Sequence, residues 1–507
     1  MPGRACPSTL PRAIPTSLPQ PLVGVARATC ANAPAGWLAR EVSRPGQFHT
    51  GALRASPAGT QTYGYLDRAY AVCGEQVGLH LSSSVPATAA VEAIRLGSYG
   101  RMQGRVVKQF PAVQVRHQES VPPGSGHTQD NDWPVSLYIT PDASWPPGPY
   151  ALRIVTNGSP GSATHLPFYV QSTGTPAAYL VVSADLTHLA YNSAGGVSLY
   201  RGPGATTDER RQSRATTASA RRPYDFNGLK QWIVKDVPLA TFLDRHRITV
   251  DWTTDSSLDA DPRQVSRHAT VVLPGHSEYW TRRNYDTLEY AVAHGTNLAS
   301  LGGNELYWQT RLVRDPKGNL WKMIVYRFAN LDPAPADEDK TVQWRDPILN
   351  RDPARLTGLG MSGVGVGGPG TVVTAPAWLF SGSGVGIGAR LPWLYGNEAD
   401  RPEPPGGNSP ANLQVLLRGA MLDQYGKPVV VGTGYYSAPS GAGVFNAGTT
   451  EWLCGIDNTC PGTSRPAVTR RALDAITLNV LRAFATPRAG VAHPSIATPW
   501  TQPTPRP

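Results

Sequence analysis

Between Ala177 and Asn304 the chain alternates short continuous apolar runs with helical patterns, and this alternation constrains its fold more than any other feature. AAYLVVSAD, ITVDWTTD, HATVVLPGH and TNLASLGGN each carry a run too apolar for a strand with one wet face. Between them, VPLATFLDRH after Lys235 has helical periodicity, and RRNYDTLEYAVAHG reads as a helix stopped by Gly295. Strands separated by helices imply parallel βαβ units, in which ligands gather beyond the C-terminal ends of the strands. HSEYW and GGNELYW fall at two such ends.

Upstream, from about Gly51 to Val170, the pattern is different. QVGLHLSSS, AAVEAIRLGSYG, WPVSLYITP and PYALRIVTNG alternate apolar and polar residues and are separated by Pro, Gly, Asn and Asp, the pattern of a β-sandwich. A chain of 507 residues can bury more than one core, and 13 Trp and 20 Tyr supply core material. The reading is an α+β multidomain protein: a β-sandwich over 51–172, then a flavodoxin-like α/β domain with a mostly parallel sheet over 173–485. Residues 1–50 read as a flexible leader, and the Pro- and Thr-rich 486–507 as a disordered tail. After Trp308 the pattern turns irregular, and GMSGVGVGGPG, lacking a phosphate-loop ending, reads as a flexible loop.

The formal charge of +10 does not indicate nucleic acid, because the basic residues are dispersed. The one dense cluster, Glu209–Arg222, is rich in Ser and Thr and reads as a solvated loop. No apolar run is long enough for a membrane helix, so a soluble chain is expected, cytoplasmic rather than secreted. Of five cysteines, Cys454 and Cys460 bracket a loop that a disulfide could close, and Cys30 could pair with Cys73, leaving Cys6 odd. The Cys and His spacings match no zinc motif.

In extended backbone, residues i and i+2 share a side, so His276 and Glu278 face one way and Tyr279 the other. Such a pair can do acid–base work, bind a metal, or simply form a salt bridge that orients a loop. Tyr191, in AYNSAGGVSLY after the first parallel strand, and Asn304, on the Gly-Gly turn, belong to the same strand-end surface. Asn304 could stabilise an oxyanion there, or cap its own turn.

GHSEYW, AYNSAGGVSLY, NLASLGGNELYWQTR, WRDPILN, the LTG at Leu356–Gly358 and GAGVFNAGTTEW together resemble the large (β) subunit of N,N-dimethylformamidase and its relatives. GYLDRAYAV, AIRLGSYGRM, WPVSLYIT and WPPGPYALRI extend the resemblance upstream, so that it runs from about Gly64 to Phe484. It implies a catalytic domain similar to the class I glutamine amidotransferase fold without the cysteine nucleophile, and hydrolysis of the C–N bond of a small amide. It also implies a mononuclear iron, in the ferric state, held by Tyr150, Tyr191 and Glu278, with His276 and Asn304 as catalytic neighbours. Self-association and a separate small subunit are open under the same resemblance. Where relatives carry an aromatic residue before the Gly-Gly pair, this chain has Ser193 and Ala194, which would reshape the pocket; Arg327 matches a basic residue of the family. The competing reading is an inactive or carbohydrate-binding sandwich protein with a relic α/β domain, and the presence of Tyr150, Tyr191 and Glu278 favours the enzyme.

Overall fold

The computed structural model describes residues 13–22, 25, 27–55, 62–404, 407–457 and 464–498. About 22% of the chain is helix and 30% strand, in keeping with a composition rich in turn formers.

The N-terminal part is built on two sheets. Strands Thr62–Leu66, Val77–Ser83 and Leu137–Ile139 form one. Tyr70–Ala71, Thr164–Val170, Gly148–Thr156, Ala87–Tyr99 and Met102–Gln109 form the other in that order, with Val113–Val115 added to Ala87–Tyr99. Val77, Leu79 and Leu81 of the first sheet meet Val91, Ala93, Leu152, Ile154 and Phe168 of the second in one core. Ala87–Tyr99 begins with alternating burial, then is buried on both faces. Its Ile94 and Leu96 leave the sandwich core and join Phe242 and Leu243 of the helix Phe226–Arg245.

That second contact is clamped by charge. Arg95 donates to both oxygens of Asp244, at 2.8 and 3.2 Å, and to the Pro147 carbonyl at 3.0 Å. The segment expected as a leader joins this junction. Its helix Trp37–Val42 brings Trp37 under the Arg95 guanidinium and buries Glu41, which accepts from Arg105 at 2.6 Å and from Tyr99 at 2.8 Å. A disulfide links Cys30 to Cys73; the other expected pairing involves Cys460, which lies outside the described residues. The expected disordered tail is also engaged over its described part, where Tyr435 donates to the His493 carbonyl at 2.5 Å. No helix among the described residues is long and apolar enough to cross a membrane.

The expectation of a flavodoxin-like, glutamine amidotransferase-like parallel domain is corrected by the large sheet. Its nine strands run Asp251–Thr254, Tyr179–Ser183, Thr270–Leu273, Asn297–Ser300, Gly443–Asn446, Pro428–Ser437, Gln414–Leu422, Gly360–Val372, Arg390–Arg401. The first five are parallel, but every pairing after Gly443–Asn446 is antiparallel, so the sheet is mixed. The misreading arose in GMSGVGVGGPG, which is not a loop but the body of the strand Gly360–Val372. Its glycines hide the alternation that marks a strand, yet they fit it between two neighbours. A Cβ on Gly365 would lie 2.5 Å from the Leu422 carbonyl oxygen, and one on Gly368 would lie 2.5 Å from that of Ala420.

The antiparallel half curls back over the parallel half. Ala399 bridges Thr449, just beyond the strand Gly443–Asn446, and the Thr450 N–H donates to the Glu398 carbonyl at 3.0 Å. The sheet's last strand thereby reaches the C-terminal ends of the parallel strands.

Candidate active site

Three glycines allow the strand ends to meet. A Cβ on Gly302 would stand 2.2 Å from the Gly275 carbonyl oxygen, and one on Gly303 would stand 2.9 Å from the backbone of Thr449. Gly275, at φ 73°, passes over the Lys235 side chain, with no room for a Cβ. Lys235 is buried and donates to the Thr450 carbonyl, bracing this junction from below.

His276, Glu278, Tyr191 and Asn304 converge there. His276 Nδ1 lies 3.1 Å from the Gly303 carbonyl, which fixes Nδ1 as the donor and leaves Nε2 facing the site. Around Nε2 stand Tyr191 Oη at 3.3 Å, Glu278 Oε2 at 3.4 Å and Glu398 Oε2 at 3.7 Å. Burial opposes charging of the imidazole, but Glu398 and Glu278 outweigh it and raise the group to about 9. Asn304, at φ 52°, donates from Nδ2 to Glu398 at 2.6 Å, while its Oδ1 is buried without a hydrogen-bond partner. Its backbone N–H donates to Asp400 at 2.8 Å, fixing the turn.

Tyr150, expected as a metal ligand, is not among the residues that converge here. It pairs with Phe168 and Arg95 in the sandwich sheet, stacks on Trp145 and donates to the Pro146 carbonyl at 2.7 Å. A core aromatic and a ligand share the same strand pattern in GPYALRI, so spacing did not separate them.

Tyr200 occupies the expected place instead. Its hydroxyl donates to Glu278 and its ring stacks on Tyr191, with centroids 4.3 Å apart. Gly195 and Gly196, at φ 81° and 87°, reverse the chain, and the Leu199 N–H returns to the Ala190 carbonyl. The Gly-Gly pair in AYNSAGGVSLY was therefore the signal that both of its tyrosines face one point. Glu398, also missed, had no comparable local signal. Ser193, expected to reshape the pocket, bonds Asp225, the N-cap of Phe226–Arg245.

The set is thus two phenols and two carboxylates with one imidazole and one carboxamide, nearly all oxygen donors. Burial first, then the carboxylates, hold both Tyr191 and Tyr200 well above the ordinary phenol range. A cation among these oxygens would reverse that, since ionised phenols and carboxylates would then stabilise one another through it. Hard oxygen donors in this number fit a hard, highly charged ion. Among the described residues, no group of three or more His, Cys, Asp and Glu side chains is placed to hold a metal ion.

A β-rich N-terminal part is clamped to a mixed sheet whose strand ends bury a phenol–carboxylate–imidazole centre. The family model described as N,N-dimethylformamidase beta subunit-like, C-terminal, matches residues 90–462, and the chain belongs to that family. No curated protein matches the chain.

Proposed function

We propose that the protein is an iron-dependent amidohydrolase that cleaves the C–N bond of a small N-substituted amide. The observation that carries this is the convergence of Tyr191, Tyr200 and Glu278 beside His276, within a family named for dimethylformamidase. Tyr191, Tyr200 and Glu278 would hold the metal, and two phenolates with a carboxylate match ferric iron better than a soft ion. Bound there, iron would supply a Lewis acid for the amide carbonyl and for water.

The chain's own residues supply the rest. With the charge of Glu278 and Glu398 that holds His276 at about 9 drawn toward a bound cation, Nε2 is free to take the proton of the attacking water and return it to the departing amine nitrogen. Glu398 stabilises the imidazolium that forms between these steps, as its place near Nε2 allows. Asn304 Nδ2 has a second hydrogen for the developing oxyanion. Burial of His276, Glu278 and Asn304 keeps bulk water from weakening these interactions. A separate small subunit and self-association belong to the same proposal.

The test is metal analysis with visible absorption after iron-replete expression. Tyrosinate-to-ferric charge transfer should colour the protein, Tyr200→Phe and Glu278→Ala should remove the colour, and Tyr150→Phe should keep it. An iron-free, colourless protein would overturn the proposal, as would colour that depends on Tyr150 and not on Tyr200. Turnover of dimethylformamide and other N-substituted amides then defines the substrate.

A further inference from the structure

At the end away from Glu398 the nine-stranded sheet finishes at Asp251–Thr254, and an outermost strand presents polar groups that something must cover. Two other parts of the chain supply the cover. Gln171, just past the sandwich strand Thr164–Val170, donates from Nε2 to Thr253 at 2.9 Å and to Ser257 at 2.8 Å. The N-terminal segment joins it. The Leu22 N–H donates to the Ala260 carbonyl at 2.8 Å, the Thr29 N–H donates to the Cys73 carbonyl at 3.0 Å, and Cys30 is bonded to Cys73. Thr173 ties both parts together, donating from its hydroxyl to the Cys30 carbonyl at 2.9 Å and from its N–H to Asn32 at 3.1 Å.

These layers enclose a cleft of about 280 Å³ at the starts of the strands Tyr179–Ser183 and Asp251–Thr254. Val25 and Ala28 of the N-terminal segment line it, with Gln171, Asp251, Ser257 and Gln264 of the parts they cover. The centre around His276 lies beyond the opposite ends of the parallel strands, and none of its residues lines the cleft. The lining side chains are fixed by one set of bonds and left with another unused. Ser257, 4% exposed, accepts from Gln171 at 2.8 Å and from Gln264 Nε2 at 3.3 Å, so its lone pairs are taken and its proton has no acceptor among the described residues. Gln171 and Gln264 commit their amide hydrogens in this way and keep Oε1 without a partner among the described residues. Asp251 accepts from His268 Nε2 at 2.9 Å and from the Ala177 N–H at 3.1 Å on Oδ2, which leaves Oδ1.

A wall that fixes a donor among acceptors suits a ligand whose groups both donate and accept, which is the property of hydroxyls. Charge points the same way. Asp251 is matched by His268 and Asp261 by Arg263, and Arg267, also on the lining, is exposed where salt and water screen it. The volume lies just under the usual range for small-molecule sites, so it admits one ring rather than several. We propose that this cleft is a second ligand site, for a neutral polyhydroxylated ring such as a monosaccharide. It stands apart from the amidohydrolase reading, and the segment tied by Cys30–Cys73 forms part of its wall.

Saturation-transfer NMR and calorimetric titration of the purified protein test this with D-glucose, D-galactose and myo-inositol, beside glucosamine and glucuronate as charged counterparts. At least one neutral compound should bind saturably, with a dissociation constant on the order of 1 mM, and more tightly than either charged one. Ser257→Ala should weaken that binding about fivefold, the worth of one hydrogen bond, and Gln264→Ala should do the same, with thermal melting as the folding control. Tyr200→Phe, at the other site, should leave it unchanged. No saturable binding of any of the three neutral compounds, tighter binding of a charged counterpart, or full binding in folded Ser257→Ala and Gln264→Ala would overturn the proposal. Loss of binding in Tyr200→Phe would overturn it too, by placing the ring at the other site.

Discussion

Replacing Asp244 with Asn isolates the charge clamp between the strand Ala87–Tyr99 and the helix Phe226–Arg245. The Asp244 carboxylate accepts from Arg95 at 2.8 and 3.2 Å and from the Ser98 N–H at 3.2 Å, with side-chain exposures of 2% for Arg95 and 7% for Asp244. Asn keeps the shape but leaves a buried guanidinium without its counter-charge, which costs about 3–5 kcal/mol. Arg95→Met alone should cost a similar amount by stranding the carboxylate. Arg95→Met with Asp244→Leu removes both charges but leaves the Pro147 carbonyl and the Tyr99 hydroxyl short of a donor and the Ser98 N–H short of an acceptor, a penalty of about 1–3 kcal/mol. The coupling should therefore be at least about 2 kcal/mol, read from urea unfolding of the wild type, both single variants and the double variant. Additive effects, or single variants costing under about 1 kcal/mol, would show that the contact of Ile94 and Leu96 with the helix holds the junction without the ion pair.

Two further perturbations address the core of the site and the N-terminal segment. Burial lifts Glu305 to about 7 from the model-compound value of 4.5, with His276 pulling the other way, so the folded chain holds this proton more tightly than the unfolded one. Stability from this group should be full near pH 4.5 and fall as pH rises through about 7, by roughly 3 kcal/mol, and Glu305→Gln should flatten that slope in pH-dependent urea melts; an unchanged slope would refute the assignment. The Cys30–Cys73 bond closes a separation of 43 residues, worth about 4 kcal/mol of unfolded-chain entropy, so Cys30→Ser with Cys73→Ser should lower the melting temperature, and an unchanged melt would count against it.

What the sequence revealed of the site follows the reach of each signal. His276, Glu278 and Asn304 sit within a few residues of their strand ends, so period and turn chemistry placed them on one surface. Tyr200 needed the conformation of Gly195 and Gly196, which spacing implies only once a turn is assumed. Glu398 bonds Asn304 across 94 residues from an edge strand, and nothing near it in YGNEADR marks it. The parallel strands were legible because their apolar runs are continuous. The antiparallel half was not, since a strand built on Gly363, Gly365, Gly367, Gly368 and Gly370 presents too few side chains to show a period.

The curl of the sheet separates two kinds of change. His276 and Asn304 rise from interior strands, whose register is fixed by neighbours on both sides. Glu398 rides on the outermost strand, Arg390–Arg401, with a ladder partner on one side and a bridge to Thr449 on the other. Substitution or slippage in that strand alters one wall of the site while the parallel strands keep their pairing. Changes in that strand therefore reach His276 and Asn304 through Glu398 and Asp400, while the parallel strands that carry them stay in register.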